Sequence, residues 1–191
     1  MNYTNLVDIV INENKTVLDQ IDISEINTLI DEINKANTIQ LYAMGRMALS
    51  MRGFAMRLKH MGFDVYVVYD TTTPCIGEGD LLLDLCGVTN VEMNIIKCAK
   101  EANARIGIVG PHPENEQGQM ADFSVTIPGQ IFGYGTEVKS IQPMATLLEQ
   151  AMFLFTDIIV QMIIKQNNID IEAMHKRHTN LEGISRSFAK N

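Results

Sequence analysis

The amino-acid sequence predicts an α/β fold, a three-layer α/β/α sandwich around a five-stranded parallel sheet in the flavodoxin-like order 2-1-3-4-5. Short apolar runs alternate along the chain with helical patterns of about 12 residues. Connections of that length suit right-handed crossovers, whose helices cover both faces of a parallel sheet. The predicted order sets the first and third strands side by side, and the crevice outside their carboxyl ends is the expected ligand site.

The bulk composition predicts one intracellular domain spanning residues 1–191. A net charge of −8 argues against nucleic-acid or anionic-membrane partners, because both are polyanions. The three cysteines show no CxxC spacing and the amino terminus shows no signal-peptide pattern, so we expect a cytoplasmic protein. The most apolar stretch, 144–164, contains Glu149 and Asp157, and we expect a buried helix there rather than a membrane span.

The first 37 residues fit two amphipathic helices, since apolar residues recur at intervals of three or four positions. We expect these helices, and the polar and basic tail 169–191, to pack on the domain or on neighbouring subunits. The predicted strands are 38–43, 64–69, 80–86, 104–109 and 123–127. After the two amino-terminal helices, the sequence predicts helices at 49–61, 91–103 and 142–165, and Gly62 ends the first of these.

The loops after the first and third strands carry the main candidate binding residues. Gly45 and Arg46 open a strand-to-helix loop, where backbone N–H groups and the guanidinium favour an anion. A tight turn with a surface ion pair is the alternative. After the third strand come Gly87, Val88, Thr89 and Asn90, which are candidate substrate contacts together with Met47 of the first loop. The Thr and Asn side chains suit either an anionic ligand or the capping of the next helix.

Hydroxyls, a carboxylate and histidines supply the other candidates. Thr72 and Thr73 follow the second strand, where they suit a binding network or a proline-containing turn. Glu149 interrupts an apolar helix, which makes it a candidate general base or a partly exposed glutamate at the helix edge. His175 and His178 lie three apart, but no third ligand is evident, so we expect no metal.

Five segments of the chain are informative when taken together, namely Arg52–Val68, Thr71–Pro74, Gly79–Leu82, Gln142–Gln150 and Arg177–Glu182. They resemble 6-phospho-3-hexuloisomerases, members of the sugar isomerase (SIS) domain family. The resemblance spans nearly the whole chain. It implies a homodimer or homotetramer, a site shared between subunits, and aldose–ketose isomerisation of a sugar phosphate without metal or cofactor. The substrates it implies are hexulose 6-phosphate and fructose 6-phosphate.

The same resemblance implies roles for two residues of this chain. Glu149 would be the general base that moves a proton between adjacent carbons through an enediol. His178, entering from a neighbouring subunit, would assist ring opening or oxygen protonation.

The phosphate-binding loops depart from the family pattern. Members usually have Gly-Arg-Ser-Gly in the first loop and Ser-Gly-Ser-Gly-x-Thr in the second, whereas this chain has Gly45-Arg46-Met47-Ala48 and Cys86-Gly87-Val88-Thr89-Asn90-Val91. Each lost hydrogen bond to a charged group costs about 1.5–3 kcal/mol, and Met47 and Val88 add bulk. A second hypothesis is therefore a non-catalytic sugar or sugar-phosphate binding protein, and a third is a protein that only oligomerises.

Overall fold

The structure, a computed structural model, describes residues 2–85, 93–132 and 137–181. Its helices are α1 (Tyr3–Leu18), α2 (Ile23–Lys35), α3 (Met47–Met61), α4 (Met93–Glu101), α5 (Glu116–Met120), α6 (Thr146–Gln166) and α7 (Ile171–Arg177). Its strands are β1 (Ile39–Tyr42), β2 (Val65–Val67), β3 (Leu81–Asp84), β4 (Arg105–Gly110) and β5 (Phe123–Thr126).

Within the described residues the strands form one parallel sheet of order β2-β1-β3-β4-β5, which confirms the predicted topology. Every residue of β1 and β3 is buried, as expected of central strands. Tyr42 at the end of β1 lies beside Asp84 at the end of β3. The loops that follow β1 and β3 therefore leave the same edge of the sheet as neighbours.

Alternate residues along β3 enter two different hydrophobic clusters, because successive side chains of a strand point to opposite faces. Leu81 and Leu83 belong to the larger cluster, together with the inward faces of α1, α2, α3 and α6. Leu82 belongs to a smaller cluster with Ile96 and Ala99 of α4. The sheet thus lies between two helical layers, and the predicted three-layer sandwich is confirmed.

The amino-terminal helices pack on the domain of their own chain. Asp22 caps α2 by accepting a hydrogen bond from the Ser24 N–H at 2.6 Å, and Ile33 on its inner face is fully buried. Val17 of α1 is also fully buried. The outward face of α1 leaves apolar side chains exposed, namely Tyr3, Leu6, Val7 and Ile11. Packing of that face on a neighbouring subunit stays a prediction.

The starts of α3 and α6 differ from the sequence-based expectation. Helix α3 ends at Gly62 as predicted, where φ is 105°, but it begins at Met47, two residues earlier than expected. Helix α6 begins at Thr146 and not near Gln142. The Gln142 side chain binds Glu13, and Met144 adopts a left-handed φ of 58°, so the chain turns before the helix starts.

Helices α5 and α7 were not predicted from the sequence. Each is at most seven residues long, and α7 lies in the polar, basic tail, where the apolar periodicity that signals a helix is weak. Asp170 caps α7 by accepting a hydrogen bond from the Glu172 N–H at 2.9 Å.

By length and composition alone, α6 could cross a membrane. Half of its most apolar window is buried inside the domain, where fully buried residues such as Ala151, Ile159 and Ile163 face the core. The other face leaves Phe153 and Ile158 partly exposed. In this fold α6 is therefore a core helix, as the sequence predicted.

Candidate functional site

The loop after β1 leads directly into α3 through Gly45. Its φ of +54° is left-handed, a conformation that favours glycine. Arg46 occupies the capping position of α3 but makes no side-chain capping bond. Met47 is only 5% exposed and packs in the main core, so its side chain is held in the protein interior.

Arg46 and Glu149, predicted separately as site residues, form an ion pair. Arg46 Nη1 donates to Glu149 Oε2 at 2.5 Å and to Thr146 Oγ1 at 3.3 Å. The Glu149 side chain is 18% exposed and that of Arg46 is 52% exposed. The guanidinium offsets the cost of placing a carboxylate on a largely apolar helix.

The amino ends of α3 and α6 meet at this ion pair. Ala145, at the capping position of α6, makes no side-chain capping bond, and Ser50 Oγ of α3 donates to the Glu149 carbonyl oxygen at 3.2 Å. The two helices border a groove of about 270 Å³, lined by Arg46, Leu49, Ser50, Glu149, Gln150 and Phe153. Because helix amino ends carry partial positive charge, this region favours negative charge on a ligand or intermediate.

The threonines after β2 serve the local turn. Thr73 Oγ1 donates to the Val67 carbonyl oxygen, and the Thr73 N–H donates to the Asp70 carbonyl oxygen at 3.0 Å. Thr72 is exposed. Asp70 in the same loop also pairs with Arg52 of α3. These contacts agree with the turn alternative, and a substrate contact from Thr72 or Thr73 stays a prediction.

The predicted substrate contacts in the second loop, Gly87, Val88, Thr89 and Asn90, lie outside the described residues.

His178 follows α7 and lies at the carboxyl end of α3, far from Glu149 of the same chain. Its ring centroid is 5.1 Å from that of His60, and Arg177 Nη1 donates to the His60 carbonyl oxygen at 3.1 Å. A helix rises about 1.5 Å per residue, so the roughly 14 residues from Arg46 to His60 span about 21 Å. Within one chain the structure does not bring the two predicted catalytic residues together.

The contact between His60 and His178 was not found by sequence reasoning. Burial lowers the pKa of the His60 imidazole, and the positive charges of His178 and Arg57 lower it further. No spacing rule relates positions so far apart in sequence, so the sequence holds no local signal for this pair.

Sequence reasoning also missed a cluster of one histidine and two glutamates beyond β4. His112 Nε2 lies 2.6 Å from Glu137 Oε1, and His112 Nδ1 lies 3.0 Å from Glu114 Oε1. The Glu137 side chain is only 3% exposed. Within residues 2–85, 93–132 and 137–181, no group of three or more His, Cys, Asp or Glu side chains is arranged to hold a metal ion.

Comparison with known proteins finds relatives along nearly the whole chain. A 3-hexulose-6-phosphate isomerase of Bacillus subtilis (strain 168) is 33% identical over 186 residues, which cover 95% of this chain and 100% of that protein. A 3-hexulose-6-phosphate isomerase of Mycobacterium gastri is 33% identical over 182 residues, with 94% of this chain and 91% of that protein covered.

A solved structure is also similar to this chain over most of its length. The crystal structure of a hypothetical protein from Methanococcus jannaschii is similar to this chain, with a TM-score of 0.80 and 32% sequence identity. From that structure, the molecular function of the Methanococcus jannaschii protein was inferred to be that of a 3-hexulose-6-phosphate isomerase. The match covers 93% of this chain and 99% of that one. No protein-family model matches the chain.

Proposed function

Because this chain belongs to the 3-hexulose-6-phosphate isomerase family, we propose that it isomerises a sugar phosphate of the hexulose 6-phosphate and fructose 6-phosphate class. The observation that carries the proposal is the ion pair of Arg46 and Glu149 at the meeting point of two helix amino ends. It joins a carboxylate, a cation and two positive helix ends around one groove.

In the proposed reaction Glu149 acts as the general base. Its carboxylate takes the proton from the hydroxyl-bearing carbon next to the carbonyl, and the electron pair of that C–H bond forms the double bond of an enediol. The carbonyl oxygen gains a proton, and Glu149 then returns its proton to the neighbouring carbon while the other enediol hydroxyl loses its own. Negative charge develops on oxygen along this path, and Arg46 and the helix amino ends stabilise it.

We assign the oxygen proton transfer to His178 of a neighbouring subunit. His178 lies beside His60, and about 21 Å of α3 separates His60 from Arg46, the partner of Glu149, so a complete site needs a second copy. We therefore propose a homodimer or homotetramer. The exposed apolar side chains of α1 and α6, among them Ile11, Phe153 and Ile158, support contact between copies.

Phosphate binding is the step for which the altered loops matter most. We propose that Arg46 and backbone N–H groups near Gly45 and Met47 replace part of the missing loop hydroxyls. The burial of the Met47 side chain supports this, because a side chain packed in the core leaves the space beside those amides clear. Further proposed contacts are Thr72, Thr73, Gly87, Val88, Thr89 and Asn90.

The direct test is conversion of 3-hexulose 6-phosphate to fructose 6-phosphate by the purified oligomer. We expect turnover by the wild-type protein and its loss in Glu149→Gln, which keeps the side-chain shape but removes the base. No conversion at high protein concentration would overturn the proposal for this pair of sugars.

The loop composition favours a second candidate function, a non-catalytic protein that binds a sugar or sugar phosphate. Thermal unfolding with a panel of sugar phosphates separates the two, because a ligand that binds the native state raises Tm whether or not it reacts. A rise in Tm without turnover supports the binding protein, and turnover that requires Glu149 refutes it. In either case we propose a cytoplasmic location, in keeping with free thiols at Cys75 and Cys98.

A further inference from the structure

The segment that leads into α6 is fastened to a carboxylate on α1. Glu13 accepts hydrogen bonds from Ser140 Oγ at 2.7 Å, from the Ile141 N–H at 2.9 Å and from Gln142 Nε2 at 3.0 Å. Glu13 is only 9% exposed. A carboxylate so well buried is costly unless its oxygens are satisfied, and here three donors from a single short segment satisfy them.

Asn14, the next residue of α1, contacts the chain just after Glu149. Asn14 Nδ2 donates to Gln150 Oε1 at 2.9 Å and to the Val10 carbonyl oxygen of its own helix at 2.9 Å. Gln150 directly follows Glu149 in the first turns of α6. Helix α1 therefore contacts the chain on both sides of Glu149, at residues 140–142 and at residue 150.

The chain between these two contacts makes the turn into α6. Met144 is in the left-handed region with a φ of 58°, which is unfavourable for a side chain other than glycine. Ala145 supplies no capping side chain to α6. Thr146 Oγ1 donates to the Pro143 carbonyl oxygen at 2.7 Å and accepts a hydrogen bond from Arg46. Within the segment Thr146 bonds to Pro143, and contacts from Arg46 and α1 further hold the bend that sets the start of α6.

We propose that Glu13 is a positioning residue for Glu149. By fixing residues 140–142, Glu13 sets where α6 begins and keeps the Glu149 carboxylate beside Arg46 and the groove. This inference rests on the proposed isomerase function. Glu13 touches no substrate, and its effect is expected on the rate of the chemical step, since displacing a reacting group by about 1 Å can lower a rate about 100-fold.

The test is Glu13→Gln, which keeps the size of the side chain but turns one oxygen acceptor into a donor. We expect kcat for sugar-phosphate isomerisation to fall about 10- to 100-fold, with a much smaller change in KM. The matched control is Asp31→Asn, which removes an exposed carboxylate from α2 and is expected to leave kcat unchanged. Ser140→Ala removes one of the three donors and should produce a smaller fall in kcat.

Amide hydrogen exchange without substrate gives a readout that does not need activity. We expect faster exchange in Glu13→Gln over residues 140–150 and unchanged exchange in β3. A wild-type kcat in both Glu13→Gln and Ser140→Ala would overturn the inference. So would faster exchange throughout the core, which would mark a general loss of stability. If the wild-type protein proves inactive, the proposed function fails, and unchanged exchange over residues 140–150 in Glu13→Gln would independently refute the positioning role of Glu13.

Discussion

Replacing Arg46 by methionine separates the catalytic use of the ion pair from its contribution to stability. The change removes the guanidinium that pairs with Glu149 and keeps an unbranched side chain of good helix propensity at the start of α3. Because the Arg46 side chain is 52% exposed and Glu149 lines an open groove, water can replace the guanidinium beside the carboxylate, so the loss of the pair should lower the free energy of unfolding by only about 0.2–1 kcal/mol. For a chain of this length that corresponds to a fall in Tm of at most about 4 °C.

The effect on catalysis should be larger. The guanidinium is expected to donate to the substrate phosphate or to the charged intermediate, and a hydrogen bond to a charged group is worth about 1.5–3 kcal/mol. That energy corresponds to a fall in kcat/KM of about 10- to 150-fold. The measurements are an assay that couples the formation of fructose 6-phosphate to a reduced nicotinamide, and thermal unfolding of the same preparation.

Arg52→Met is the matched control, because Arg52 lies on the same helix and pairs with Asp70, with both side chains about half exposed. We expect a similar small change in Tm and a kcat/KM within about twofold of wild type, since surface ion pairs contribute little. Equal kcat/KM in Arg46→Met and wild type would refute the assignment of Arg46 to the site. A fall in Tm well beyond that of Arg52→Met would show that the pair is mainly structural.

Three further predictions follow from the site and the fold. If each site of a dimer takes Glu149 from one copy and His178 from the other, mixing dissociated Glu149→Gln and His178→Gln subunits should restore roughly a quarter of wild-type activity. No recovery of activity would indicate that Glu149 and His178 act within one chain. Burial raises the pKa of the Glu13 carboxyl, but hydrogen bonds from Ile141, Ser140 and Gln142 outweigh it and lower the pKa below its usual value of 4.5. The charged form is therefore favoured in the folded state. The difference in Tm between the wild type and Glu13→Gln should be largest above pH 4.5, and it should shrink as the pH falls below 4.5. Gly129→Ala would place a methyl group 2.7 Å from the Leu148 Cα, which should destabilise the protein by about 1–3 kcal/mol, and an unchanged Tm would contradict this close packing.

The sheet could be predicted from the sequence because its signals are local. The buried run of β3 and the glycine cap at Gly62 each follow from a few neighbouring residues. The start of α6 could not be predicted in this way. The contact that decides it joins Glu13 to residues more than 120 positions later in the chain, and helical periodicity carries no information about such a contact.

The residues of the candidate site could also be predicted from local sequence, but the contacts between them could not. Arg46 and Glu149 were each recognisable from their local setting, a strand-to-helix loop and an apolar helix, but their pairing required the fold. The position of His178 beside His60 likewise depends on how α7 packs against α3. Sequence patterns identified residue types with suitable chemistry, and only tertiary packing determined which of them meet within one chain.

The geometry of Arg46 bears on how a site with so few loop hydroxyls can still bind a phosphate. The contacts that the described residues make to its guanidinium all involve Nη1, which bonds to Glu149 and Thr146. A guanidinium has five N–H donors in a fixed plane, so its Nε and Nη2 edge can hold two phosphate oxygens while Nη1 keeps the base in place. A lysine at this position would offer all its donors from one nitrogen atom and could not present a separate edge to each partner. One planar cation can therefore connect the phosphate to the base, which makes the loss of loop serines compatible with catalysis as well as with binding.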